Sequence, residues 1–191
     1  MNALKRICSA VFAAVLVLCS VGCAKEETDV YYTKPEGSGL DFWICEDVHD
    51  ADFSGFSTLS GTIGSKQYVN GRYALGPIEP DGYRELPEKY VSYTVSAWPD
   101  YADGGEFVTQ IVITDPSVKL FGVSVESTME EFIAAMTKNG FDVREHNDDI
   151  GVAMRFAYSP DGKYYVSYII THDIRRIVVN APIENREGIV F

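Results

Sequence analysis

VAMRFAYSPDGKYYVSYIITHDIRRIVVN, residues 152–180, is the stretch that decides the fold. Apolar residues at every second position of 152–158 give the period-two pattern of a half-buried β-strand. Ser-Pro-Asp-Gly at 159–162 is a turn signal, and the apolar run at 164–171 leads the chain back. The pattern predicts a β-hairpin. After two residues, a last strand is predicted over 174–180.

An amphipathic helix is predicted just upstream of this hairpin. Ser127 and Glu130 have the spacing of a capping box, in which two side chains accept hydrogen bonds from orphan N–H groups at a helix start. Lys138 and Gly140 supply a cation and a flexible residue where the helix should end. The apolar positions recur at helical spacing, so we interpret them as core. They are Met129, Phe132, Ile133 and Met136.

Short motifs recur in the same order in the two parts of the chain, which predicts an internal duplication into half-repeats 40–116 and 117–191. The alternative is shared strand composition, because strands favour Tyr, Val and Ile anyway. Nine fewer residues separate the last two motifs in the second copy. The paired motifs are 72–74 with 155–157, 80–82 with 160–162, 90–93 with 165–168, and 111–116 with 177–182.

Local connections through tight turns predict an antiparallel sheet with a helix packed on one face, and therefore an α+β fold. A helix in the first half is doubtful, because residues 50–60 contain Gly55 and several Ser and Thr. A single globular domain is predicted over 40–191. At the level of architecture, and in the Gly-containing lead-in to the helix at 122–131, it resembles the tandem-repeat β-lactamase inhibitor proteins and the small outer-membrane assembly lipoproteins. The resemblance transfers no functional residue.

The N-terminal segment places two basic residues before an apolar run at 7–21, and Gly22-Cys23 then leads abruptly into charged residues. It resembles the signal peptide of bacterial lipoproteins, with Ser20 where leucine is usual. The resemblance implies that residues 1–22 are removed and that lipid on Cys23 anchors the protein to the extracytoplasmic face of a cell membrane. Ordinary secretion with cleavage nearby is the alternative. A retained anchor is disfavoured, because the run covers about 22 Å of a roughly 30 Å bilayer core.

Cysteine use agrees with an anchor. Cys8 and Cys19 leave with the signal, and lipid on Cys23 would leave Cys45 alone, which we interpret as a buried small hydrophobe. Without lipid on Cys23, a disulfide between Cys23 and Cys45 would be available in the oxidising exterior.

The mature chain is strongly acidic. Of the 16 Lys and Arg, Lys5 and Arg6 leave with the signal, so 14 basic residues remain against 28 acidic ones, a net charge of −14. Such a chain is repelled by nucleic acid and by anionic headgroups, so we expect no nucleic-acid partner. The polar stretch that follows Cys23, up to residue 39, is predicted to be a flexible tether that holds the domain off the membrane.

The sequence carries no familiar catalytic signature: it has no Gly-x-Ser-x-Gly, His-Glu-x-x-His, Cys-x-x-Cys or dinucleotide fingerprint. Residues 61–66 resemble a phosphate loop only superficially, because the glycine spacing is wrong and a strand follows. His49, His146 and His172 lack the mutual spacing of a metal site. We expect no metal and no cofactor.

The loop between two predicted strands, 98–106, is the possible binding site, because it contains the residues that the second copy lacks. Its carboxylates and glycine pair suit a cation, and its aromatic residues suit a sugar or peptide. A solvated hairpin tip, or two lengthened strands, is the alternative. The site residues predicted here are Trp98, Asp100, Tyr101, Asp103 and Glu106.

These observations predict a non-enzymatic binding or interaction module of the cell envelope. Its partner would be an envelope protein, a peptide or a cell-wall component, and the membrane would be reached through lipid on Cys23. A cell-envelope hydrolase using acidic residues is one alternative function. A small-ligand or cation-binding protein is the other.

Overall fold

The computed structural model describes residues 34–62, 64–78, 84–97, 105–147 and 152–181. These residues form one antiparallel sheet of eight strands and a single helix. The elements are β1 Phe56–Thr62, β2 Ser65–Asn70, β3 Val91–Ala97, β4 Glu106–Ile113, α1 Met129–Lys138, β5 Asp142–Asn147, β6 Ala153–Tyr158, β7 Tyr165–Ile170 and β8 Arg175–Asn180.

Two four-stranded meanders build the sheet, in the order β1-β2-β3-β4-β8-β7-β6-β5. The predicted hairpin is β6 and β7, and the predicted last strand is β8. The antiparallel sheet and the helix are therefore as expected. The share of helix is smaller than an α+β fold implies, because α1 has only 10 residues. The fold is therefore dominated by its sheet rather than clearly α+β. No helix in the described part is long and apolar enough to cross a membrane.

The helix begins one residue later than predicted. Thr128, not Ser127, is the N-cap, and its hydroxyl accepts a hydrogen bond from the Glu131 N–H at 3.2 Å. The Glu131 carboxylate in turn accepts from the Thr128 N–H at 2.8 Å, which completes the capping box. Both Ser127 and Thr128 can cap, and the sequence spacing alone did not distinguish them. Ser127 instead accepts a hydrogen bond from the Ser124 N–H through its hydroxyl.

The two meanders have matching strand registers. In the first half, Tyr93 on β3 lies opposite Ile111 on β4. In the second half, Tyr168 on β7 lies opposite Ile177 on β8. These are the correspondences expected for two half-repeats. Common descent of the halves stays a prediction, because register alone does not separate duplication from convergence.

β4 and β8 join the two halves at the centre of the sheet. Their register pairs Ile111 with Val179, Val112 with Val178, and Ile113 with Ile177. If each residue is replaced by its counterpart in the other half, the pair Ile111–Val179 becomes the pair Ile177–Ile113, and the reverse. An approximate two-fold axis, perpendicular to the sheet, therefore passes between Val112 and Val178. It brings the β3–β4 connection at one end of the sheet onto the β7–β8 turn at the other.

One expected correspondence between the halves is wrong. Phe156 on β6 lies opposite Ser167, and the residue in the matching place of the first half is Val69, opposite Ser92. Residues 72–74 follow β2 and lie outside the strand, so their likeness to 155–157 reflects composition. The second predicted landmark of the first half, residues 80–82, lies outside the described residues.

The core lies on one face of the sheet, and a different structure covers each half of it. Over the second half, α1 buries Phe132 and Met136, and the Phe132 ring lies 5.3 Å from that of Tyr168. Over the first half, an irregular segment at 38–53 packs against the sheet, with Phe42 in edge contact with Tyr93. The doubt about a first-half helix is supported, since the described part of that half contains none.

Candidate functional site

The structure locates one of the five residues predicted to form the binding loop's site. Glu106 is the first residue of β4, lies opposite Ala97, and its carbonyl accepts a hydrogen bond from the Val48 N–H at 2.7 Å. Its place is therefore that of a strand residue. The other four predicted site residues and the predicted lipid site lie outside the described part of the chain: Trp98, Asp100, Tyr101, Asp103 and Cys23.

The hairpin that carries this loop is longer than its counterpart for two reasons. Relative to β7 and β8, β3 continues for two more residues beyond the matched tyrosine and β4 for three more before the matched isoleucine. The connection at 98–105 has four more residues than the turn at 171–174. Five of the nine extra residues thus lengthen the strands, as the alternative interpretation held, and four remain in the loop.

A groove of about 680 Å³ lies at the opposite end of the sheet, where β3 and β8 begin and β4 and β7 end. We call this end the groove end. One wall is the segment 86–90 that leads into β3, and the other is the β7–β8 turn with its flanking residues, 170–176. Thr114 and Pro116 lie between the walls, and Val125 and Glu126 complete the lining. The groove therefore spans the junction of the two halves.

Hydrogen bonds to Thr114 fix the first wall. The Tyr90 N–H donates to the Thr114 hydroxyl at 2.8 Å, and the Thr114 N–H donates to the Tyr90 carbonyl at 2.9 Å. The pair of bonds extends the β3–β4 ladder by one residue past its last strand pair. The wall is consequently anchored to the sheet at its inner end.

The second wall is a closed turn. The Thr171 hydroxyl accepts a hydrogen bond from the Ile174 N–H at 2.9 Å, and the Thr171 N–H donates to the Ile174 carbonyl at 2.8 Å. These bonds hold the four-residue connection in one conformation and direct Ile174 outward, where 51% of it is exposed. A threonine at the start of so short a turn suits this closure, since its hydroxyl competes well for nearby backbone groups.

Tyr168 fixes the third part of the lining. Its buried hydroxyl lies 2.9 Å from the Val125 carbonyl and 2.5 Å from the Ser127 carbonyl, to which it can donate. Burial raises the pKa of this phenol. Tyr168 therefore stays a neutral donor at ordinary pH, and it holds the segment that leads into α1 against the sheet.

The groove carries charges of both signs on a half-apolar surface. Its basic side chains are Lys89, Arg175 and Arg176, and its acidic ones are Glu88, Glu126 and Asp173. Among the described residues, none of the three cations lies within salt-bridge distance of a carboxylate. Three cations of a strongly acidic chain thus gather at this one place, and the Arg175 side chain also interacts with the Tyr168 hydroxyl.

Exposed apolar side chains also concentrate at the groove end. Ile78 and Ile174 are the large hydrophobic residues that stand out as exposed in the described part, at 65% and 51%. Ile78 belongs to the β2–β3 connection, and Ile174 to the β7–β8 turn. Both connections leave the sheet at the groove end, because antiparallel neighbours turn at alternate ends of a sheet. Gly76, two residues before Ile78, donates a hydrogen bond to the Glu85 carbonyl at 3.0 Å, next to Leu86 of the groove lining.

A polar network beside the groove serves structure. The Asp115 carboxylate accepts hydrogen bonds from the Tyr73 hydroxyl at 2.8 Å and from the N–H and hydroxyl of Ser117. Burial raises the pKa of Asp115, but the hydrogen bonds from Ser117 and Tyr73 outweigh it, so the pKa lies below the ordinary value. Arg72 stacks over the Tyr73 ring at 4.9 Å. A carboxylate held ionised in this way is not suited to act as a general acid near neutral pH.

Cys45 has the surroundings of an inert thiol. Burial, and to a lesser degree the nearby Asp161 carboxylate, raises its pKa to about 11. The thiol is free and half-buried, and it packs against the core. It is therefore almost entirely protonated at neutral pH, as expected of a small hydrophobe.

No set of three or more His, Cys, Asp or Glu in the described ranges is arranged to hold a metal. His172 lies 3.9 Å from Asp173 with both side chains almost fully exposed, which makes their pairing weak. The superficial phosphate loop is a β-hairpin turn: Gly61 and Thr62 end β1, and Ser65 begins β2.

Sequence reasoning missed the groove. Its walls are turns and strand ends that come together only when the halves join, and no local motif marks such a junction. One local signal was available: Thr171-His172-Asp173-Ile174-Arg175-Arg176 places an isoleucine among charged residues within a tight turn.

Comparisons of the chain with protein-family models, with curated proteins and with solved structures give no match.

Proposed function

We propose that the protein is a non-enzymatic binding module of the bacterial cell envelope, anchored through lipid on Cys23, and that the groove is its binding site. The observation that carries the proposal is a groove of about 680 Å³ whose basic side chains form no salt bridge with any described carboxylate. Ligand sites are concave and largely apolar, with a few polar groups that orient the ligand.

An extended peptide segment fits this lining best. The groove is open and runs between two backbone segments, and it offers the exposed Ile174 beside cations and carboxylates. A peptide presents apolar and charged groups of both signs along its length. A nucleic acid would be repelled by the net charge of the mature chain.

The proposed site is tested with a soluble form that lacks the signal peptide and Cys23, residues 24–191, which is immobilised and exposed to a phage-displayed peptide library. We expect enrichment of peptides that combine apolar and acidic residues. Reversing both charges with the double substitution Arg175→Glu and Arg176→Glu should weaken peptide binding at least tenfold, the equivalent of about 1.4 kcal/mol.

Arg144→Glu is the matched control, because Arg144 is an exposed arginine on β5, away from the groove, where it pairs with Asp142 at 2.7 Å. It changes the net charge by half as much and should leave peptide binding nearly unchanged. Peptides that bind the double variant as well as they bind the unaltered protein would rule out the groove as the site.

A further inference from the structure

We infer that the groove end of the sheet faces the membrane, with Ile78 and Ile174 touching the lipid interface, so that the groove meets its partner at the bilayer surface. The inference rests on the proposed function, since it needs the anchor at Cys23. It concerns the orientation of an anchored domain rather than the affinity of a free one.

The start of the described chain lies close to the groove end. Arg72, just past the last residue of β2, donates a hydrogen bond to the Gly39 carbonyl at 3.2 Å. Asn70, the last residue of β2, donates to the Asp41 carboxylate at 3.2 Å, and Lys34 reaches the Asp41 carbonyl at 3.1 Å. Because β2 ends at the groove end, Lys34, the first described residue of the chain, lies near this end.

The length of the tether makes this position matter. Cys23 lies eleven residues before Lys34, and the tether that composition predicts for this stretch would span about 18 Å on average. A strand of six residues, such as β7, is about 20 Å long. A tether of this predicted length is no longer than the sheet is tall, so the end of the sheet nearest Lys34 is favoured to lie near the bilayer.

The surface of the groove end gives the orientation a second cause. Both of the described isoleucines that are markedly exposed belong to connections that leave the sheet there, and the cations Lys89, Arg175 and Arg176 line the groove. Apolar tips flanked by basic residues suit the interface between headgroups and acyl chains. Glu85, Glu88 and Asp173 are exposed at the same end, so charge alone would not hold the domain there. The free domain, with its acidic net charge, should therefore not bind anionic membranes.

The test uses the full lipidated chain in vesicles of phosphatidylethanolamine and phosphatidylglycerol that carry an acceptor dye at the surface. A donor dye is attached to a single cysteine in a Cys45→Ala background. The site is Lys89→Cys at the groove end, or Lys163→Cys in the β6–β7 turn at the opposite end. Energy transfer should be at least about twofold more efficient from position 89, because a full strand length separates the two sites.

Two further arms complete the experiment. Adding Ile78→Ser and Ile174→Ser to the Lys89→Cys protein should lower its transfer efficiency toward that of the Lys163→Cys protein. The mature chain without lipid should remain unbound when vesicles are floated.

Lipidated protein that floats with equal transfer from both positions, or with more from position 163, overturns the orientation and leaves the anchor standing. Energy transfer that is more efficient from position 89 and stays so after both isoleucines are replaced overturns the part of the isoleucines in the orientation. A full-length chain that does not float at all overturns the anchor, and the orientation with it.

Discussion

Tyr93 and Tyr168 hold matching places in the two halves of the sheet, and each hydroxyl binds the segment that covers its own half. Tyr93 accepts a hydrogen bond from the Asp41 N–H at 2.9 Å and contacts the Asp41 carboxylate at 3.2 Å. Tyr168 binds the Val125 and Ser127 carbonyls. Both side chains are fully buried. Two different covers, one irregular and one helical, are thus attached to the sheet by the same device.

Removing either hydroxyl should destabilise the fold. We expect Tyr93→Phe and Tyr168→Phe each to lower the free energy of unfolding by about 1–3 kcal/mol, since buried partners lose their hydrogen bonds. Tyr165→Phe is the matched control, because no described residue forms a hydrogen bond with the Tyr165 hydroxyl. It should lower the free energy of unfolding by less than about 0.5 kcal/mol. Urea unfolding measures the difference. Equal stability of all three variants would contradict the role of the hydroxyls.

The Asp115 network predicts a pH-dependent contribution to stability. The folded pKa is held below the ordinary 3.8, so the carboxylate stabilises the fold fully above that value, and the contribution is lost as pH falls through the folded pKa. Asp115→Asn should lower the free energy of unfolding by at most about 1 kcal/mol at pH 7, because the site is partly exposed. The difference in free energy of unfolding between variant and unaltered protein should shrink below about pH 4. A gap that stays constant from pH 7 to about pH 3 would contradict the network.

Cys45 should resist alkylation in the folded state. With a pKa of about 11, its thiolate is scarce at pH 8, and burial limits access. Iodoacetamide should label the native mature protein at least about tenfold more slowly than the urea-unfolded protein. Similar rates in both states would show that the thiol is open and reactive.

The β3–β4 loop and the groove can be separated as binding sites. Replacing residues 98–105 by Asn-Gly keeps the Ala97–Glu106 pair and supplies a tight turn between the two strands. We expect thermal stability to change little and peptide binding at the groove to persist. Binding that disappears with the loop while Arg175→Glu and Arg176→Glu leave it intact would return the site to the loop.

The second half of the fold could be predicted from sequence because its signals are local. Alternation in β6, a Pro-Asp-Gly turn and the apolar stripe of α1 each specify an element within a few residues. The first half gave weaker signals: β1 contains Gly61 and several hydroxyl residues, and its cover has no helical period. The order of strands depends on β4 meeting β8, a contact across the whole chain that no local pattern reports.

The site was harder to predict than the fold. Loop length pointed to the connection after β3, where five of the nine additional residues in fact extend the strands. The groove depends on three hydrogen-bonded anchors, at Thr114, Thr171 and Tyr168, that bring separate turns together. Tight turns and buried tyrosines are common, and only their convergence marks a site.

The anchor at Cys23 is the central claim, and metabolic labelling tests it most directly. Cells expressing the full chain are fed an alkyne fatty acid, and the protein is recovered and coupled to a fluorophore. The account predicts a labelled, processed protein in the membrane fraction, and an unlabelled precursor or differently cleaved product for Cys23→Ala. Cys45→Ala is the matched control and should be labelled normally. Labelling that survives Cys23→Ala, or its absence from the unaltered protein, would contradict the account.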